Sequence, residues 1–228
     1  RQVRISNTTI TVQQREWDIR DSLYWNHKYG LDSDFLKQHD VFPLQEAHVR
    51  SSGKNDVTIR CYPYPSKNVM YGYLIIGHWK IYRPLSPDRK YRYGPSNTTS
   101  MDVFGLKKLT QESIKKPVII TAGQKDALCA SKYLGCHAIS FNSESILPDP
   151  SLVGKLLQYG SSLHLLYDND DAGKKATAKI IHEYPFIIPA QVDWPEQTKD
   201  IADLVEHGHW RLIEQLKQQS LHIVRVHR

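Results

Sequence analysis

The sequence predicts an α/β protein in which a parallel sheet flanked by helices, over residues 117–228, follows a small mixed α+β domain over residues 1–116. Three observations predict it. From Pro117 onward, short β-branched apolar runs alternate with helical stretches, the grammar of a parallel sheet covered on both faces. Between Val57 and Tyr93 the apolar residues alternate in strand fashion between Pro and Gly turns, as antiparallel strands do. The chain has 228 residues, 40% hydrophobic and 24% charged. That length suits two domains of roughly 100 residues each, with real cores and no disulfide or metal staples, and the composition excludes disorder and collagen-like repeats.

In chain order, Trp17 to His39 carries Trp17, Leu23, Tyr24, Tyr29, Leu31, Phe35 and Leu36 among polar residues. This predicts two short amphipathic helices broken at Gly30, the second capped by Asp32 or Ser33. Strands are expected at 57–60, 72–76 and 79–83, forming a small antiparallel sheet. The polar stretch 107–116 ends at Pro117, where we place the domain boundary. Beyond it the spacing predicts a strand at 117–121, a helix at 126–134 ended by Gly135, a strand at 138–141 and a helix at 150–158. A strand at 163–167, a helix at 172–183, a short strand at 186–188 and helices over 201–218 follow. Ligands of such a sheet bind at the carboxyl ends of its strands.

Composition narrows the function. Lys and Arg number 30 against 24 Asp and Glu, a net charge of +6, and the pI near 9.1 favours a polyanionic partner. No apolar run approaches the roughly 18 residues of a spanning helix, so no membrane role is expected. Arg1 opens the sequence and residues 1–10 carry no charged-then-apolar signal pattern, so an excised fragment is expected. Cys61, Cys129 and Cys136 lack metal-ligand spacing, which fits reduced, buried thiols and a cytoplasmic setting. The 11 histidines are scattered, and His207-Gly208-His209 has no third ligand at useful spacing, so a zinc site is not expected.

The chemistry concentrates where strands end. Asp168-Asn169-Asp170-Asp171-Ala172-Gly173 follows an apolar strand and opens a helix bearing Lys174 and Lys175. Carboxylates about 4 Å apart repel by roughly 4 kcal/mol at an effective dielectric near 20, so such a cluster calls for a cation. An isolated acidic loop of this kind otherwise caps the next helix through Asp170 or Asp171. Two further acidic elements, Gly123-Gln124-Lys125-Asp126 and Lys199-Asp200-Ile201-Ala202-Asp203, stand at comparable junctions. Strand ends are neighbours in a parallel sheet, so Asp126, Asp168, Asp170 and Asp200 are expected to converge on one or two ions. Hard oxygen ligands imply Mg²⁺ or Mn²⁺.

These residues carry a resemblance. Strand-x-Gly-x-Lys-Asp-Ala at 121–127, strand-Asp-x-Asp-x-Ala-Gly at 168–173 and Lys-Asp-x-x-Asp-Leu at 199–204 resemble the TOPRIM domain of primases, type IA and type II topoisomerases and certain nucleases. The resemblance covers about residues 117–207. Lys80-Ile81-Tyr82-Arg83-Pro84-Leu85, Arg89-Lys90-Tyr91, Asn97 and Val103-Phe104-Gly105-Leu106 are similar to the segment preceding TOPRIM in primases. With Tyr24-Trp25-Asn26-His27-Lys28-Tyr29-Gly30, the chain looks most like primases of Bacteroidetes phages and mobile elements. The resemblance implies an RNA-polymerase-like core for template-directed nucleotidyl transfer. Asp168, Asp170 and Asp200 would hold Mg²⁺ or Mn²⁺, and Asp126 and Asp203 would support the site. It implies single-stranded DNA and nucleoside triphosphates as partners, and also an upstream zinc-binding module and a replicative helicase.

One departure matters: the motif's usual Thr-Glu-Gly is Thr121-Ala122-Gly123 here, and alanine neither binds a cation nor moves a proton. Glu144, on the loop after the second strand of the sheet, is a candidate substitute. The alternatives are a degenerate, non-catalytic TOPRIM module that binds nucleic acid, and then a TOPRIM nuclease. Asp168-Asn169-Asp170 is also similar to the Asp-x-Asp of haloacid-dehalogenase phosphatases, but it lies on a later strand and Ala172 takes the place of their Thr or Val. Lys80, Arg83, Arg89, Lys90 and Arg92 interleave with Trp79, Tyr82, Tyr91 and Tyr93, a mixture that neutralises phosphates and stacks bases or is simply a solvated face. In a primase context it reads as a template or nucleotide grip, with Lys125 and Lys174 as further phosphate contacts.

Overall fold

The computed structural model describes residues 8–111, 116–143 and 146–226. The chain forms two compact units, Arg1–Asp102 and Val103–Arg228.

In the first unit, β1 (Thr8–Gln14) and β2 (Val41–Ser51) pair antiparallel, β3 (Val57–Arg60) adds to β2, and the sheet continues through β4 (Tyr71–Ile75), β5 (His78–Tyr82) and β6 (Tyr93–Ser96). The helices α1 (Ile19–Asp21) and α2 (His27–Tyr29) flank a π-helical stretch, Ser22–Asn26, and all stop at Gly30, which takes φ 64°. This is the break expected at that glycine. Asp32 then caps α3 (Ser33–Gln38) by accepting from the Phe35 amide. β1 and β2 had no counterpart in the sequence reading. β2 carries Pro43, which demotes a strand in a sequence, but it lies at the antiparallel junction where Gln14 and Leu44 pair across a bulge, and its carbonyl accepts from Arg15.

The core of this unit is aromatic: Tyr24, Trp25, Tyr29, Tyr71, Tyr73 and Tyr82 are all buried. Arg20, also buried, donates to the Tyr62, Ser66 and Asn68 carbonyls and is held by Asp18. One guanidinium therefore satisfies three backbone acceptors and fixes the loop between β3 and β4. Arg15 and Tyr71 both donate to the buried Asp21 carboxylate, so burial drives the Tyr71 phenol well above its ordinary value, with Asp21 adding to the rise.

The second unit opens earlier than the change in composition at Pro117. Phe104 pairs with Ser140, Gly105 (φ 83°) runs against the Ala138 carbonyl where no Cβ fits, and Leu106 and Leu109 of α4 (Leu106–Gln111) enter its core. The sheet is parallel, in the order β10 (Ile188–Pro189), β9 (Leu163–Leu166), β7 (Val118–Thr121), β8 (His137–Ser140). Every residue of β7, β8 and β9 is buried, as in strands covered on both faces. The helices are α5 (Gln124–Tyr133), α6 (Pro150–Tyr159), α7 (Asp171–Glu183), α8 (Ile201–Glu206) and α9 (Trp210–Val226). Asp149, Asp170 and Asp200 cap α6, α7 and α8, and Pro150 sits at the first turn of α6. Among the described residues no helix is long and apolar enough to cross a membrane.

Candidate functional site

β7 ends in Thr121, whose hydroxyl donates to the Gly123 carbonyl at 2.9 Å and closes the turn into α5. A Cβ on Gly123 would stand 2.9 Å from Asp126 Oδ2, so glycine lets the turn approach the carboxylate. Asp126 follows in the first turn of α5. Asp168 lies just beyond β9, where α7 presses back so closely that a Cβ at Gly173 would overlap the Asp168 backbone. Asp200 comes from a distant loop, tied in by the Asn169 amide donating to the Lys199 carbonyl at 2.7 Å. Carboxylate oxygens of Asp126, Asp168 and Asp200 thereby lie within 4.8 Å of one another.

Three acids at this distance face two ammonium groups. Lys199 Nζ is 2.8 Å from Asp168 and 3.8 Å from Asp200, and Lys125 Nζ is 3.7 Å from Asp200. Burial, then the Asp200 charge, holds the Asp126 carboxyl well above the usual carboxylate range. Burial likewise raises Asp168 against the pull of Lys199, and Lys199 in turn is held above the ordinary lysine range by those acids despite its burial. Asp126 Oδ1 is buried with no hydrogen-bond partner among the described residues.

The remaining predicted residues lie elsewhere. Asp170 is exposed, with Oδ1 accepting from the Gly173 amide as the cap of α7. Asp203 accepts from the Lys199 amide while its own amide donates to Asp200, and burial followed by the Asp200 charge raises its carboxyl. Lys174 is exposed on α7. Ala122 packs against the hydrophobic cluster of this unit. Glu144 lies outside the described residues. Lys199 is the member that sequence reasoning passed over: the Lys-Asp pair was read for its acid alone.

In the first unit, Lys80 lies on β5 with Nζ 5.9 Å from the Tyr93 ring centre, and burial lowers its ammonium to about 8. Arg83 and Lys90 approach the Tyr91 ring at 5.6 and 5.1 Å. Arg92 donates through Nε to the Ser86 carbonyl, closing the turn between β5 and β6. Tyr91 and Tyr93 are exposed.

No family profile matches the chain, and no curated protein matches it. Solved structures do. The Aquifex aeolicus primase, comprising zinc-binding and RNA polymerase domains, aligns over 88% of this chain and 56% of its own with a TM-score of 0.58 at 15% identity. The primase fragment of the bacteriophage T7 primase-helicase protein aligns over 92% and 75%, with a TM-score of 0.54 at 14% identity. The DnaG primase catalytic domain, solved bound to single-stranded DNA, aligns over 92% and 67% with a TM-score of 0.53 at 15% identity. The fold is that of primase catalytic cores, in keeping with the expected TOPRIM-type architecture of a parallel sheet after a mixed α+β unit.

Proposed function

We propose that the chain is a primase-type catalytic core that performs template-directed nucleotidyl transfer, making RNA primers on single-stranded DNA. The observation that carries this reading is the convergence of the Asp126, Asp168 and Asp200 carboxylates within 4.8 Å at the carboxyl ends of parallel strands. The donor set suits a hard divalent cation, since all three ligands are carboxylates and a buried oxygen of Asp126 has no partner among the described residues. These three residues would hold Mg²⁺ or Mn²⁺, and Asp170 and Asp203 would fix the loops that carry them. When bound, the ion neutralises charge on an incoming triphosphate and lowers the pKa of an attacking 3′-hydroxyl. Lys125 and Lys199 flank the acids, and their ammonium groups would meet phosphate oxygens. Lys174 would add a more distant contact from α7. Lys80, Arg83, Lys90 and Arg92 would neutralise the template backbone, with Tyr91 and Tyr93 offering faces for bases. A replicative helicase, a cytoplasmic setting and a phage or mobile-element origin belong to the same reading.

Ala122 favours a second reading, in which the fold binds nucleic acid without catalysis, because a methyl group at that strand end transfers no proton. Primer synthesis separates the two. With ribonucleotides, single-stranded DNA and Mg²⁺ or Mn²⁺, the chain is expected to make short RNA, and Ala122→Glu to raise the yield about tenfold or more. Failure of both proteins to make product, while both still bind DNA, would leave the binding module as the function.

A further inference from the structure

A cavity of about 120 Å³ in the first unit lies between the loop joining β3 to β4 and the turn after β5, lined by Arg60, Cys61, Asn68, Met70, Arg83 and Ser86 among others. Its chemistry is one-sided. Among the described residues, Arg83 Nε is buried with no hydrogen-bond partner and no carboxylate pairs with this guanidinium. Partial burial lowers the Arg83 pKa, against a smaller opposing contribution from Tyr91. Arg60 bonds Glu46 through Nε at 2.8 Å, and its terminal nitrogens have no hydrogen bond among the described residues. None of the lining residues is acidic.

The walls are fixed beforehand. On one side the Asn68 carbonyl is already taken by Arg20 and by the Cys61 thiol, so it does not confront an anion with an unused acceptor. On the other, the Arg83 amide donates to the Arg92 carbonyl at 2.8 Å and Arg92 Nε returns to the Ser86 carbonyl at 3.0 Å. That locked turn holds Ser86 in the cavity wall. The volume is enough for several waters or a small polar group in their place. Two exposed tyrosines adjoin lining residues: Tyr62 follows Cys61 in the chain, and the Tyr91 ring centre is 5.6 Å from the Arg83 guanidinium. A phosphate subsite with flat aromatic faces beside it is what a nucleic-acid strand presents and needs.

We infer that this cavity is a subsite for a backbone phosphodiester of single-stranded nucleic acid, gripped by the Arg83 and Arg60 guanidinium groups with an adjoining base on Tyr91 or Tyr62. The inference rests on the nucleic-acid reading above and adds Arg60, Ser86 and Tyr62 to it. A free nucleotide carries the same phosphate chemistry, so the test separates the two sources.

The full chain is titrated with a fluorescent oligo-dT and, separately, with a fluorescent ATP analogue, each across a range of salt. Arg60→Gln and Arg83→Gln are each expected to weaken oligo-dT binding about fivefold or more and to flatten its salt dependence, while ATP-analogue binding and Mn²⁺-induced thermal stabilisation stay at wild-type levels. Arg60 is exposed and its replacement keeps the test valid if the Arg83 variant folds poorly. Unchanged oligo-dT affinity in Arg60→Gln, with loss in Lys90→Glu, would overturn the subsite and leave the basic stripe standing. Loss of ATP-analogue binding with oligo-dT binding retained would assign the cavity to free nucleotide and overturn it. A wild-type chain that binds no oligo-dT would overturn both the subsite and the reading beneath it.

Discussion

Asp126 is the most constrained residue of the acidic cluster, because it is buried, keeps an unpartnered oxygen and faces two other carboxylates. Two like charges 4.8 Å apart repel by about 3 kcal/mol at an effective dielectric near 20. Asp126→Asn is therefore expected to stabilise the ion-free protein by about 1–3 kcal/mol in urea unfolding with chelator present, and to remove most of the stabilisation that Mn²⁺ gives the wild type. A variant less stable than wild type in chelator would mean that the three charges are not in conflict. Lys80 gives a pH prediction. Burial places its folded-state value at about 8, below that of the unfolded chain, so its penalty on folding is present below 8 and lifts as pH rises through 8 toward the ordinary lysine value. Phosphate contact needs the charged form, so binding must run the other way. Affinity for oligo-dT is expected to fall by up to about tenfold between pH 7 and pH 9, and Lys80→Arg to flatten that profile. The acids of the cluster were legible from their positions at strand ends, whereas the role of Lys199 was not, since a lysine beside an acid in sequence says nothing of the third carboxylate it will meet.

Elements explain why some acids join the cluster and others do not. Asp170 and Asp200 both cap helices, but only Asp200 also brings an oxygen to the shared point. Substituting Asp170→Ala should remove a cap and lower stability by about 1 kcal/mol, leaving the affinity for Mn²⁺ within about threefold of wild type. Gly173→Ala attacks the same junction differently, because the new Cβ overlaps the Asp168 backbone. That change is expected to destabilise by about 2–4 kcal/mol and to displace Asp168, with Mn²⁺ affinity falling together with stability. Calorimetric titration with Mn²⁺ checks both, and a tenfold loss of affinity in Asp170→Ala would make that residue a direct ligand. The helices and strands from β7 onward were readable because fully buried parallel strands are continuous apolar runs and α6, α7 and α8 open on capping acids, whereas α4 lay hidden in a polar stretch. β1 and β2 were not readable. Their alternation is mixed with polar residues on an open face, and Pro43 imitates a strand breaker while sitting at a bulged junction.

At the scale of the molecule the net charge of +6 favours a polyanion without saying where it binds. If Lys80, Arg83, Lys90 and Arg92 each neutralise a phosphate, the plot of log affinity against log salt for oligo-dT should have a slope of about −3, and Lys90→Glu should reduce its magnitude by about 0.7. A slope near zero would remove the stripe from the interface. The division of the chain shows a similar limit: composition changes at Pro117, but Phe104, Leu106 and Leu109 already belong to the second unit through a strand bridge and its core. The sequence by itself determined the class of fold, the order of strands and helices from Pro117 onward and the acids at their junctions, because periodicity and capping are local. Only the tertiary structure decided which three carboxylates meet, that Lys199 stands among them, and that Arg83 is left with a buried nitrogen unanswered, because each depends on loops far apart in the chain being drawn together by backbone hydrogen bonds and buried apolar surface.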